Sequence, residues 1–259
     1  MAADLQDHIL ELVNYVKVGV ERQDTAVLGI LVAVAVVFLT IVILLFVSRK
    51  GNARHSVLLL GTCDAGKTLL FSRLVKDIRD DVMTVTSMDT NIGNYKVKTK
   101  NKSLRIVDVP GHERLRMQYF DKHKHMARGV VFVVDSGTLM KEVKEVAEYL
   151  YTCLSDSVIS NSTVPVLVAC TKSDLTLKKG KDVIKKNLAA EMSIMRVTRS
   201  AALQQLEGPA ANNNTFLGKR NKDFAFEDLK PLKVDFASCS AQTDNMDLSE
   251  LESWLEKLA

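Results

Sequence analysis

The sequence predicts an α/β fold, a mainly parallel sheet flanked by helices, preceded by a single N-terminal transmembrane helix. Three observations predict it. Strand-like runs alternate with helix-like stretches from residue 55 onward, an order typical of a parallel sheet covered by helices. Two of these runs, Gly129–Val134 and Val164–Ala169, are continuous and rich in β-branched residues, as in strands buried on both faces. The third observation is a stretch of 24 residues, Thr25–Ser48, that contains no charged side chain.

Composition excludes several classes of protein. The chain has 259 residues, of which 47% are hydrophobic and 25% are charged, so it is globular and not disordered. Its four cysteines form no Cys-x-x-Cys pair, which argues against a disulfide scaffold and a structural zinc site and favours a reducing compartment.

The charge-free stretch is interpreted as an uncleaved membrane anchor. At ~1.5 Å per residue its length exceeds a ~30 Å hydrocarbon core, which makes a buried core helix the weaker interpretation. A cleaved signal peptide would need a basic start, whereas residues 1–24 are acidic and Arg49, Lys50 and Arg54 follow the stretch. Basic flanks stay in the cytosol. The predicted divisions are therefore a tail across the membrane (1–24), the span (25–48), a basic linker (49–54) and a cytosolic domain (55–259).

The soluble part begins with an apolar strand, Ser56–Leu60, and an amphipathic helix, Leu69–Ile78. Alternating residues then predict an edge strand, Tyr95–Lys100, with Leu104–Val107 as its hairpin partner. After the two β-branched runs, Lys181–Leu206 has a helical pattern, and the Gly- and Asn-rich segment 208–223 is predicted to be a flexible loop. The last elements are a strand, Leu232–Phe236, and a helix, Leu248–Leu258, that has its apolar residues on one face.

The first motif that carries chemistry is a complete Walker A sequence. It lies between the first strand and the first helix, which is the context that phosphate binding needs. Backbone N–H groups of such a loop surround phosphate oxygens, Lys67 neutralises the β- and γ-phosphates, and the hydroxyl of Thr68 ligates Mg²⁺. The nucleotide-binding residues predicted here are Gly61, Thr62, Cys63, Asp64, Ala65, Gly66, Lys67, Thr68 and Leu69.

Three further motifs follow later strands in the chain. Asp108, at a strand end, is predicted to hold Mg²⁺ through water, and the amide of Gly111 to sense the γ-phosphate, although Asp-x-Pro-Gly is also a common turn. In the run Thr171-Lys172-Ser173-Asp174, the carboxylate of Asp174 can accept the two N–H donors of a guanine edge. The last motif contains Ser240 and Ala241, where a backbone amide would face the guanine oxygen.

These four motifs in this order resemble the nucleotide-binding domain of Ras-like GTPases, which implies GTP and Mg²⁺ as ligands. The resemblance also implies a switch threonine before Asp108. The segment Thr84-Val85-Thr86-Ser87 supplies the candidates, and Thr86 is favoured as the third Mg²⁺ ligand beside Thr68 and Asp108. His112 stands where these GTPases usually have the glutamine that orients the attacking water, and it is the candidate catalytic residue.

The membrane span, the Walker A sequence, Asp108-Val-Pro-Gly-His112 and the run Arg196–Ala202 closely resemble the family of signal recognition particle receptor beta subunits. That resemblance implies the endoplasmic reticulum membrane, a lumenal N-terminus and a heterodimer with the receptor's alpha subunit. It implies an indirect link to the ribosome and the translocon, without direct nucleic-acid binding. Translational GTPases share Asp-x-Pro-Gly-His but carry β-barrel domains for which this chain has no room.

Two classes of function remain open at this stage. In one, the protein is a docking module whose GTP shapes the switch surface, with slow or partner-dependent hydrolysis. In the other, it is an actively cycling GTPase enzyme of membrane traffic, similar to Arf and Sar proteins. The bulk of His112 favours the docking module. A P-loop kinase would leave Asp174 unexplained.

Overall fold

The computed structural model describes residues 29, 32–33, 35–42, 54–78, 80, 83–100, 102–175, 179–204 and 216–259. The chain forms two compact units, Met1–Ala53 and Arg54–Ala259. In the first unit, the described residues of the predicted span are helical and mostly exposed. Among the described residues, no helix has both the length and the apolar character needed to cross a membrane. The predicted tail 1–24, both ends of the predicted span and linker residues 49–53 lie outside the described residues.

The second unit is built on a six-stranded sheet in the order β2-β3-β1-β4-β5-β6. β2 is antiparallel to β3 and every other pair is parallel, so the predicted mainly parallel sheet is confirmed. The strands are β1 (Ser56–Leu60), β2 (Asn91–Lys96), β3 (Ser103–Asp108), β4 (Ala127–Asp135), β5 (Val166–Thr171) and β6 (Val234–Ser238).

Helices cover both faces of this sheet. They are α1 (Lys67–Lys76), α2 (Glu113–His123), α3 (Leu139–Ser155), α4 (Ser157–Asn161), α5 (Lys181–Gln204) and α6 (Ser249–Leu258), with 3₁₀ turns at Lys124–Met126 and Phe226–Leu229. Successive strand residues point to opposite faces. In β1, Leu58 packs into a core with residues of α3 and α5, whereas Leu59 packs into a second core with residues of α1 and α6.

The structure moves several predicted boundaries. The edge strand is Asn91–Lys96 and not Tyr95–Lys100, because the pairing of Tyr95 with Leu104 brings the polar residues before Tyr95 into the ladder. After β2 the chain turns back, and Val97 N donates to Lys102 O at 3.0 Å. β5 begins after Pro165, which has no N–H to donate. α1 ends at Lys76, since Asp77 adopts a left-handed conformation with φ +47°.

The described part of the predicted flexible loop, 216–223, is held against α5. The buried Arg196 donates from Nη1 to Lys219 O at 2.9 Å and from Nη2 to Lys222 O at 2.8 Å. Residues 208–215 lie outside the described residues. Sequence patterns gave no helix at α3, although α3 supplies buried residues such as Tyr149 and Leu150 to the core.

Candidate functional site

The Walker A residues form a tight loop between β1 and α1. Gly61 has φ +144°, and a Cβ there would lie 2.3 Å from Val133 O, so only glycine fits. Gly66 has φ +89° and caps the N-terminus of α1, whose free N–H groups attract anions. Asp64 is also left-handed, at φ +56°. The loop therefore has the backbone that a phosphate group requires.

Lys67 lies beneath this loop and is buried. Its Nζ donates to Thr62 O at 2.6 Å. Burial lowers the pKa of this amine, and the nearby Asp108 carboxylate partly opposes the shift. A Cβ on Gly111 would stand 2.5 Å from Lys67 Nζ, so Gly111 lies directly against the lysine. No carboxylate in the described part of the chain forms an ion pair with Lys67, which suits it to a phosphate.

A cluster of oxygen atoms stands beside the lysine. Thr68 Oγ1 donates to Asp108 Oδ2 at 2.9 Å and lies 3.2 Å from Ser87 Oγ. Asp108 is fully buried, and this burial raises the pKa of its carboxyl group. Its other oxygen, Oδ1, is buried and has no hydrogen-bond partner among the described residues. Hydroxyl and carboxylate oxygens are the ligands that Mg²⁺ prefers, so the residues present fit this ion.

Asn91, the first residue of β2, is a member of this cluster that sequence reasoning missed. Its Nδ2 donates to Asp108 Oδ2 at 3.0 Å and to Ser87 Oγ at 3.3 Å. No sequence motif marks it, because its role depends on the pairing of β2 with β3, which sets Asn91 opposite Asp108.

Residues Thr84–Ser87, called the switch segment below, close one side of an open cleft of about 410 Å³. Thr84, Val85, Thr86 and Ser87 all line it, facing the phosphate loop. Ser87 is half-buried and reaches Thr68, whereas Thr86 is exposed. In this conformation it is therefore Ser87, and not the favoured Thr86, that joins the oxygen cluster.

The residues predicted to recognise the base meet at the ends of β5 and β6. Ser240 Oγ donates to Asp174 Oδ1 at 2.7 Å, which orients the carboxylate. Thr171 Oγ1 donates to Ala65 O at 2.7 Å and to Val134 O at 3.0 Å, so this motif is tied to the phosphate loop. Lys172 Nζ forms an ion pair with Asp135 at 2.7 Å. Burial alone would raise the pKa of the Asp135 carboxyl group, but the contact with Lys172 and hydrogen bonds from the backbone outweigh that effect, so the pKa is lowered.

Two predicted residues lie at the edges of this site. Ala241 is buried, and its carbonyl oxygen accepts from Arg73 Nε at 3.0 Å. His112 is exposed and caps the N-terminus of α2, where its Nδ1 accepts from Arg114 N at 3.3 Å. The imidazole is thus engaged with its own helix.

The site and the fold have known relatives. The sequence profile of the signal recognition particle receptor beta subunit matches residues 52–234. The chain belongs to this family. It is 42% identical to the signal recognition particle receptor subunit beta of Rattus norvegicus, over 92% of this chain and 90% of that protein. The predicted α/β GTPase fold and the family predicted from the motifs are therefore both confirmed.

Two solved structures are similar to this chain. The structure of the mammalian receptor matches with a TM-score of 0.69 and 42% identity, covering 79% of this chain and all of that chain. A beta subunit from Chaetomium thermophilum, solved as an SRb-GTP/SRX complex, matches with a TM-score of 0.62 at 19% identity, covering 78% of this chain and 99% of that one. That second likeness shows the fold alone.

Proposed function

We propose that the chain is the membrane-anchored, GTP-binding subunit of a signal recognition particle receptor. In this role it holds the receptor's alpha subunit at the endoplasmic reticulum, where ribosomes carrying secretory and membrane proteins reach the translocon. The observation that carries the proposal is the assembled cluster of Lys67, Thr68 and Asp108 next to the switch segment.

GTP and Mg²⁺ are the proposed ligands. The phosphate loop and Lys67 would hold the triphosphate, Asp174 would accept the N–H donors of guanine, and Ser240 orients Asp174 for that contact. Thr68 and Asp108, with Thr86 or Ser87, would hold Mg²⁺, which neutralises phosphate charge when bound. This ligand set is supported by the buried Asp108 Oδ1, which no described residue hydrogen-bonds.

An exposed apolar surface beside the cleft supports a protein partner. Met83, Val85 and Met88, here called the switch patch, are 99%, 85% and 70% exposed. Exposed apolar clusters of this kind mark protein interaction sites. Because Thr84–Ser87 also line the cleft, a bound γ-phosphate would order the segment that carries the patch. The alpha subunit is the proposed occupant.

The anchor is proposed from sequence. The charge-free stretch 25–48 and the basic residues after it support a single span, with residues 1–24 in the lumen and 55–259 in the cytosol. The described residues of that stretch are helical, which is compatible with the span.

Slow or partner-dependent hydrolysis is proposed over active cycling. The hydrogen bond that His112 Nδ1 accepts from Arg114 N at 3.3 Å turns the imidazole ring toward α2. Water positioning by His112 would require the ring to leave that cap. An actively cycling GTPase would instead show substantial turnover by the isolated protein.

The experiment measures capture of the alpha subunit by the full chain in membranes. We expect capture with a non-hydrolysable GTP analogue, less with GDP, and none by Lys67→Ala, which loses triphosphate. Met83→Asp with Met88→Asp should bind GTP and lose the partner, because neither residue lines the cleft, whereas Met140→Asp, an exposed apolar residue on α3, should change neither. Normal capture by Lys67→Ala would contradict the proposal.

A further inference from the structure

The second unit has a strongly basic end, opposite the nucleotide cleft. The parallel strands begin there, and the β2–β3 turn, the last residues of α6 and the loop before β6 meet there. Six basic side chains, which we call the basic end, lie in these segments: Lys100, Lys102, Arg128, Lys230, Lys233 and Lys257.

Contacts to backbone oxygens hold part of this set together. Lys102 Nζ donates to Ala259 O at 2.7 Å, and Arg128 Nη2 donates to the same oxygen at 3.1 Å. Lys100 Nζ donates to Glu256 O at 2.7 Å. None of the six forms an ion pair with a carboxylate side chain in the part of the chain that the structure describes. Because Lys100, Lys102 and Arg128 are engaged with these oxygens, the charge open to an external anion is mainly that of the exposed Lys230, Lys233 and Lys257.

A groove of about 820 Å³ opens at this end. Lys233 and Lys257 line it together with Pro165, Pro231 and Trp254. Asp235 also lines the groove, and its Oδ2 accepts from Trp254 Nε1 at 3.2 Å. Trp254 is buried in the second core and only borders the groove, so the two lysines are the groups that can reach a ligand there.

The chain joins the second unit at this same end. Arg54, its first residue, lies against the α4–β5 loop, where it donates to the hydroxyl and the backbone oxygen of Ser162. The charge-free stretch ends at Ser48, and six residues, 49–54, connect it to the segment that leads into β1. Fully extended, six residues span at most about 20 Å. A bilayer crossed by residues 25–48 is thus within short reach of the point where the chain joins the unit.

From this arrangement we infer that the basic end docks on anionic phospholipid headgroups, so that the GTPase unit is oriented on the membrane with its nucleotide cleft away from the bilayer. The inference rests on the proposed membrane anchor. Each lysine or arginine close to an anionic leaflet strengthens the attraction, and the attraction falls when salt screens the charges. RNA is the competing polyanion, but only a bilayer is held within linker reach of this surface.

Trp254 is the single tryptophan of the chain, and it therefore reports on this surface alone. The full chain is reconstituted into phosphatidylcholine vesicles with or without phosphatidylserine, each containing a lipid spin-labelled at the headgroup. Alkaline extraction of the same vesicles reports insertion of the anchor. We expect stronger quenching of Trp254 fluorescence with phosphatidylserine, and loss of the difference at high salt.

The variant Lys230→Gln, Lys233→Gln, Lys257→Gln should shift the docking equilibrium by on the order of 100-fold and abolish the phosphatidylserine effect. Its control is Lys141→Gln, Lys144→Gln, Lys186→Gln, three exposed lysines outside the basic end, which should behave as the parent does. GTP binding by both variants confirms that they fold.

If the chain resists alkaline extraction but Trp254 fluorescence is quenched equally with and without phosphatidylserine, the docking inference is wrong and the anchor is retained. Failure to resist alkaline extraction would overturn the anchor and the inference together. Binding of a single-stranded RNA that the triple variant loses, without any phosphatidylserine effect, would assign the surface to RNA instead.

Discussion

Asn91 Nδ2 lies 3.0 Å from Asp108 Oδ2, across the first pair of the β2–β3 ladder. This hydrogen bond favours the ionised carboxylate and opposes the rise in its pKa that burial causes. The same amide reaches Ser87 Oγ at 3.3 Å. Asn91 therefore positions two members of the proposed Mg²⁺ site without being one of its ligands.

Replacing Asn91 by alanine should weaken Mg²⁺ binding to the GTP complex roughly tenfold, since a hydrogen bond to a charged group is lost. The Mg²⁺ dependence of nucleotide release measures it. Asn94→Ala is the matched control, because Asn94 lies exposed on the same strand. Equal Mg²⁺ dependence in both variants would show that Asn91 does not position the site.

Asp108→Asn should lose Mg²⁺-dependent GTP binding and yet stabilise the nucleotide-free, Mg²⁺-free protein near neutral pH. The folded pKa of Asp108 is raised above its unfolded value of 3.8, so its ionised form opposes folding at pH values above that range. The gain in the free energy of unfolding should shrink as the pH falls toward 3.8. Urea unfolding across pH measures it, with the exposed Asp244→Asn as control. A destabilised Asp108→Asn at neutral pH would contradict the argument.

Asp174→Asn should lower GTP affinity by on the order of 100-fold, since two charge-assisted hydrogen bonds to guanine are lost. It should also shift the preference toward xanthosine triphosphate, whose base offers an oxygen where guanine has an amino group. Competition binding with the two nucleotides measures this. Ser240→Ala keeps the carboxylate and should weaken GTP without changing the preferred base. Similar affinity of the parent protein for ATP and GTP would refute the role of Asp174.

Three asparagines in the sequence can report on which side of the membrane the GTPase domain lies. Asn101, Asn161 and Asn213 each begin an Asn-x-Ser/Thr acceptor, and all three follow the predicted span. In microsomes we expect none to be glycosylated, and added protease should remove the GTPase domain and leave a protected fragment of residues 1–48. Endoglycosidase-sensitive sugar on any of the three would place the domain in the lumen and refute the cytosolic docking role.

Much of the site followed from local sequence. The Walker A loop could be predicted because its glycines, Lys67 and Thr68 lie within eight consecutive residues between a strand and a helix. Asp174 follows β5 and Ser240 follows β6, and their proximity could be expected because parallel strands end at one edge of a sheet. The 2.7 Å bond between them agrees with that rule.

By itself, then, the sequence determined the α/β class, the phosphate loop and the family. Only the tertiary structure decided that β2 begins at Asn91, that Ser87 reaches Thr68, and that six cations meet at the end opposite the cleft. The reason is physical. Loop conformation and helix capping depend on neighbours in the chain, whereas these contacts join segments that are distant in the sequence. For Asn91 the register of β2 on β3 decides, since a slip of one residue would turn it to the other face of the sheet.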